Sequence, residues 1–221
     1  MAENNNIFSA DNLSVRRGNR LVFEALSFKI CAGQLLKLVG PNGSGKTTLL
    51  KTVSGLIKQT SGQIMMGEDI ITQDTQWIAR NISYLGHKNA LKSELTVENN
   101  ILFWASLFDN QHNMENALKS MAIEYLSDTP VKYLSSGQSR RAALARACCS
   151  GANIWLFDEP TVGLDEQGVS LLAGLMTKHL NEEGIIICAT HVDLNLENKY
   201  VTTLDLSDFA PISKFEETEL W

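Results

Sequence analysis

The chain has 221 residues, 44% of them hydrophobic and 20% charged, with a formal net charge of −6. That length suits one large domain or two small ones and can bury a real core. The composition is ordinary for a globular protein, and the acidic balance argues against broad non-specific binding to nucleic acid. The four cysteines, Cys31, Cys148, Cys149 and Cys188, show no CxxC spacing and no paired framework, so they read as reduced thiols of a cytosolic protein. No apolar run approaches the roughly 18–20 residues that span a bilayer. Residues 1–6 lack the basic and apolar regions of a signal peptide, so any membrane role would run through a partner.

Residues 7–30 read as antiparallel strands around an Arg17-Gly18-Asn19-Arg20 hairpin turn. Leu35-Leu36-Lys37-Leu38-Val39 reads as a buried strand entering a glycine-rich loop, with a helix over about 46–57 beyond it. Residues 60–95 hold turn signals and short strands. Over 96–108, Val97, Ile101, Leu102 and Ala105 recur at helical spacing, and 113–126 reads as a further helix. The middle of the chain is therefore mainly helical. Ile154-Trp155-Leu156-Phe157 is a strand, and 165–180 an amphipathic helix with Val169, Leu172, Ala173, Met176 and Leu180 on one stripe. Residues 185–189 and 201–206 supply two more strands. Buried strands alternating with helices predict an α/β fold whose mostly parallel sheet is covered on both faces. A small antiparallel sheet stands in front, and a helical subdomain is inserted at about 90–150, in one domain over 1–221. The acidic tail, 211–221, ends in Leu220-Trp221, which could dock on the domain or on a partner.

Gly40-Pro41-Asn42-Gly43-Ser44-Gly45-Lys46-Thr47 fits G-x-x-x-x-G-K-[ST], with a strand before it and a helix after it. Glycines let backbone N–H groups turn inward around phosphate oxygens, and the helix N-terminus adds positive potential. Lys46 brings a point charge to the β/γ phosphates, and the Thr47 hydroxyl can ligate Mg²⁺, a hard cation that prefers oxygen. Thr48 belongs to the same phosphate-binding set. The strand 154–157 ends in Asp158-Glu159, at the strand end where open α/β sheets bind ligands. Asp158 can hold Mg²⁺, and Glu159 can polarise an attacking water as general base.

Further on come Leu134-Ser135-Ser136-Gly137-Gln138, Gly163-Leu164-Asp165 and Ala189-Thr190-His191. The whole ordered set resembles the nucleotide-binding domain of ATP-binding-cassette (ABC) transporters, over nearly all of the chain. The resemblance implies a P-loop ATPase fold, ATP with Mg²⁺ as cofactor, and a head-to-tail homodimer. In that dimer Ser135, Ser136, Gly137 and Gln138 of one copy face the γ-phosphate held by the other. It further implies that Asp165 tightens the dimer seam and that His191 is a switch residue on the γ-phosphate. A helix opening at Ser136 is also an anion site on physical grounds. The Arg140-Arg141 pair on that helix reads equally as a solvated basic face or as a neighbour of the nucleotide. Cys148-Cys149 read as helix-packing residues, with redox or metal roles as alternatives.

Two positions depart from the family pattern. Where most members carry a glutamine ahead of the helical subdomain, this chain has His87, which can still bind a water or polar group near Mg²⁺. Where an aromatic residue usually stacks on adenine, the count back from Lys46 reaches Arg17 or Arg16. A guanidinium can stack on a base, with looser adenine selectivity and GTP left open. Tyr84-Leu85-Gly86-His87 and the stretch 134–146 are similar to the haem-exporter ATPases of bacterial cytochrome c maturation. That likeness implies membrane permease partners and a place on the cytoplasmic face of the inner membrane. It implies no nucleic-acid partner and no haem bound by this chain itself. Rival readings are another ABC importer or exporter ATPase, a soluble ABC ATPase and a P-loop nucleotide kinase. About ninety residues separate Lys46 from Leu134, too few for the coiled-coil insertion of DNA-repair members.

Overall fold

The computed structural model describes residues 6–106 and 110–211. β1 (Ile7–Arg17) and β2 (Arg20–Cys31) form a long hairpin closed by the pair Arg17 and Arg20. β3 (Leu35–Val39) then leads through the glycine loop into α1 (Lys46–Val53). β4 (Ser61–Met66) and β5 (Asp69–Ile70) extend the hairpin into an antiparallel sheet ordered β2-β1-β4-β5. α2 (Thr75–Asn81), β6 (Ile82–Leu85), α3 (Val97–Ser106), α4 (Met114–Ser120) and α5 (Ser136–Cys148) follow. The chain returns through β7 (Ile154–Asp158), α6 (Glu166–Asn181), β8 (Ile185–Ala189) and β9 (Val201–Asp205). Those strands complete a parallel sheet ordered β6-β7-β8-β3-β9.

Every residue of β7 and β8 is buried, because helices cover one face of the parallel sheet and the antiparallel sheet with α1 covers the other. The two-residue period of a strand divides the core accordingly. Trp155, Phe157, Ile186 and Cys188 pack towards α3, α4, α5 and α6. Ile154, Leu156, Ile185 and Ile187 pack towards α1 and the front sheet with Phe8, Phe23 and Leu26. All three cysteines of the interior, Cys148, Cys149 and Cys188, are buried thiols, while Cys31 is exposed. Burial pushes the Cys149 thiol up to about 11 and Cys148 and Cys188 higher still, so these sulfurs stay protonated packing groups.

Local detail differs from the sequence expectation in three places. α1 stops at Val53 instead of reaching Ile57, because the amides of Leu56 and Ile57 turn back onto the Lys51 carbonyl and end the helix. The helix expected over 113–126 breaks after Ser120: Ala122 is left-handed at φ 51°, and a 3₁₀ turn follows at Glu124–Leu126. α2 lies where only turns and strands were expected. It is seven residues long with Ile78 as its one buried residue, too short to show a helical period, and Asp74 caps it by accepting from the Trp77 amide at 2.9 Å. Leu220-Trp221 and the end of the helix expected over 96–108 lie outside the described residues.

Candidate active site

Four parallel strands end at one edge of the sheet, and each hands the chain to a candidate residue. β3 leads to the Gly40 loop, β6 to Gly86-His87, β7 to Asp158-Glu159 and β8 to Thr190-His191. This convergence needs only the parallel order, since all C-terminal ends then point the same way.

The glycine loop is shaped for an anion. Gly45 sits at the N-cap of α1 at φ 108°, and a Cβ there would come within 3.0 Å of Val22 Cγ1. Among the described residues no side chain caps the helix, so its first amides remain available to an oxyanion. Ser44 Oγ beside them is buried and has no hydrogen-bond partner among the described residues. Lys46 is 9% exposed, and its ammonium donates to the carbonyls of Gly40 (2.7 Å) and Pro41 (3.2 Å), which holds the charge over the loop.

The Thr47 hydroxyl lies 2.9 and 3.0 Å from the two carboxylate oxygens of Asp158, across 111 residues of chain. A hydroxyl and a carboxylate side by side form an oxygen-only donor pair, which fits Mg²⁺. That ion keeps several waters and substrate phosphates in its shell and needs few protein ligands.

These groups line a cleft of about 510 Å³. Asn42, Gly43, Gly45, Lys46, Thr47 and Thr48 form its floor, Asp158 and Glu159 one wall, and Arg17, Arg20 and Val22 of the hairpin the other. Of the two arginines weighed from the sequence, Arg17 faces the cleft. Arg16 is outside its lining and donates to the Asn19 carbonyl at 3.4 Å. Arg20 was missed. Its signal was available, since a two-residue turn pairs it directly with Arg17.

Glu159 is left-handed at φ 51°, a conformation that costs a non-glycine residue on the order of 1 kcal/mol. Its amide donates to the Ala189 carbonyl at 2.8 Å, which ties the turn to β8. Its carboxylate stands 3.5 Å from His191 Nε2. His87 lies next door, in a larger groove of about 650 Å³ that shares Thr47 and Asp158 with the cleft. Tyr84 also lines this groove. Burial, and then the charge of Asp158, raise its phenol to about 12. Lys51, Lys88 and Arg146 also line the groove. Arg146 is 6% exposed, its guanidinium sits 4.8 Å above the Trp104 ring, and its Nε has no partner among the described residues. Burial lowers its pKa to about 10, so it stays cationic at neutral pH.

Ser135, Ser136, Gly137 and Gln138 stand apart from this cleft, at the start of α5. Ser135 and Gln138 form a reciprocal capping box: Ser135 Oγ accepts from the Gln138 amide at 3.2 Å, and Gln138 Oε1 accepts from the Ser135 amide at 2.9 Å. Their side chains are thereby committed to the helix, and Ser136 is left exposed. Gly137 packs so close that a Cβ would meet the Gly163 carbonyl at 3.0 Å. Asp165 caps α6 through the Gly168 amide at 2.9 Å and pairs with Arg141 at 2.6 Å.

The solvated-face alternative fails for Arg140, which is 3% exposed and surrounded by acceptors of the Asp158–Glu159 turn. Burial lowers its pKa from the ordinary value, with the charge of Asp158 acting the other way.

A family model described as ABC transporter matches residues 23–162. The cytochrome c biogenesis ATP-binding export protein CcmA of Rhizobium etli is 38% identical over 93% of this chain and 97% of its own length. Its counterpart in Gluconobacter oxydans is 40% identical over 95% and 92%. Among solved structures, a putative ABC transporter ATP-binding protein from Pyrococcus furiosus superposes with a TM-score of 0.79 at 28% identity, covering 93% of this chain and 100% of that one. The phosphate loop, the acidic strand end, the capped small-residue helix and these likenesses agree, and the chain belongs to the ABC transporter family as one of its ATP-binding ATPases.

Proposed function

We propose that this chain is the ATP-hydrolysing subunit of an export complex serving cytochrome c biogenesis, and that it works as a head-to-tail pair. The observation that carries the pair is the position of Ser136 and Gly137. They open a helix N-terminus able to receive an anion, yet among the described residues neither lines the cleft that contains Lys46. A second copy, turned about, would supply the missing wall.

In this reading Lys46 and the loop amides bind the β- and γ-phosphates, while Arg17 and Arg20 cover the base. Thr47 and Asp158 would hold Mg²⁺, with His87 in the adjoining groove as a further polar group for it. When bound, the ion would neutralise phosphate charge. Glu159 accepts the proton of the attacking water, whose oxygen bonds to the γ-phosphorus as the bond to ADP breaks. His191, 3.5 Å away, orients that carboxylate. Positioning and charge stabilisation supply most of the rate.

No helix of the described residues is long and apolar enough to cross a membrane. The likeness to ATP-binding export proteins supports transport through separate permease subunits, with this chain peripheral on the cytoplasmic face. The basic groove at Lys51, Lys88 and Arg146 suits their contact, because it adjoins the Mg²⁺ residues. The cytochrome c assignment rests on the relatives' names and their near-complete coverage. Haem would then pass through the membrane partners without binding here.

Ser136→Arg tests the shared site. It should leave ATP affinity of the single copy unchanged and abolish turnover, while normal turnover would sink the head-to-tail pair. Co-purification with cytochrome c maturation permeases tests the cargo assignment.

A further inference from the structure

Arg140 does something that neither the motifs nor a surface role explains. It lies one turn into α5, buried, and every polar atom of its guanidinium is used. Nε donates to the Pro160 carbonyl at 3.1 Å, and Nη2 donates to the carbonyls of Asp158 (3.3 Å) and Glu159 (2.7 Å). Nη1 donates to the Gly86 carbonyl and to Asn89 Oδ1, each at 3.1 Å. Three consecutive carbonyls therefore converge on one cation. This arrangement goes with the left-handed backbone of Glu159 between them. The opposite edge of the same planar cation grips the loop that carries His87.

We propose that Arg140 is a positioning residue for hydrolysis: its guanidinium clamps the Asp158-Glu159-Pro160 turn to the Gly86-His87-Lys88-Asn89 loop and so fixes the direction of the Glu159 carboxylate.

The chemistry requires this residue type. A guanidinium offers five N–H donors in a rigid plane, whereas an ammonium offers three from a single point and cannot satisfy two loops on opposite sides. Without the cation, the carbonyls of the catalytic turn lose this donor, and the strained Glu159 keeps only its backbone bonds to Ala189 and Val162. Arg140 also stands four residues after Ser136, on the same side of α5. A displacement of that helix N-terminus would therefore reach the catalytic turn through one side chain. Asn89, which accepts from Arg140 and donates to Ser139 Oγ at 2.9 Å, ties the loop to the same helix turn.

The proposal rests on Glu159 being the base, and the experiment separates the two. In Arg140→Ala, nucleotide binding, followed with a fluorescent ATP analogue, should stay within about twofold of wild type, because the Lys46 loop and the hairpin are untouched. Turnover should fall about tenfold or more, a fraction of what a general base contributes. Guanidinium ion at tens of millimolar should restore part of the rate, whereas sodium chloride at equal strength and Arg140→Lys should not. Wild-type turnover in folded Arg140→Ala, equal losses of binding and rate, or no recovery with guanidinium would each overturn the clamp. If Arg140→Ala fails to fold, Asn89→Ala, which removes one acceptor of Arg140 together with the bond to Ser139 Oγ, carries the test. Turnover should then fall a few-fold at unchanged affinity, and unchanged turnover refutes the proposal. Glu159→Gln run alongside reads the base by itself: its retained activity overturns the base assignment, whatever Arg140→Ala shows.

Discussion

Acidification should destabilise this protein through His179. The residue lies near the end of α6, 9% exposed, with its ring stacked on Trp155 at a centroid distance of 3.7 Å and 8° between planes. Its Nε2 is 3.1 Å from the Asn153 carbonyl. Burial disfavours the imidazolium and lowers the pKa from 6.5 to about 4, against smaller opposing contributions from the backbone at Asn153 and Ile185. Between those values the unfolded chain binds a proton that the folded chain does not. The stability is present above pH 6.5 and is lost as pH falls towards 4. Linkage with these two pKa values gives a loss of about 2 kcal/mol between pH 7 and pH 5, approaching about 3 kcal/mol below pH 4. Urea unfolding followed at pH 7 and pH 5 measures it, with a midpoint shift of about 1 M for a slope near 2 kcal/mol/M. Carboxylates also titrate over this range, so the control is His179→Phe, which keeps a flat ring on Trp155 and cannot be protonated. The wild type should lose about 2 kcal/mol more than the variant. An equal pH loss in both proteins refutes the assignment to His179.

Three further outcomes follow from the site. Glu159→Gln should keep ATP affinity and reduce turnover about a hundredfold or more. It should also accumulate an ATP-bound dimer detectable by light scattering, and unchanged turnover would remove Glu159 as base. Thr47→Val deletes the hydroxyl at 2.9 Å from Asp158 and should raise the Mg²⁺ concentration for half-maximal turnover about tenfold. An unshifted Mg²⁺ titration counts against this ligand pair. With guanidinium groups in place of an aromatic ring, the wild type should accept ATP and GTP with KM values within about tenfold of each other. Arg17→Tyr should widen that gap in favour of ATP, and an unaltered ratio would show that Arg17 does not touch the base.

The features legible in the amino-acid order are local in origin. The phosphate loop is legible because Gly45 must be left-handed at a helix start, and because a strand and a helix flank it within a few residues. β7 and β8 are legible because a strand buried on both faces needs an unbroken apolar run. The capping box at Ser135 and Gln138 spans four residues, so the start of α5 could be placed from its own letters. The rest is set by the folded arrangement, since it depends on which distant segments share an edge of the sheet. The parallel order sets Thr47 against Asp158 across 111 residues and brings His191 to Glu159. The end of α1, the break at Ala122 and the seven-residue α2 arise from turns too short to leave a period. Arg140 shows the limit most plainly. Beside Arg141 it reads as one more surface cation, and only packing distinguishes the two. Arg141 pairs with a side chain at the surface, while Arg140 is enclosed by carbonyls of two loops that meet nowhere but in the folded chain.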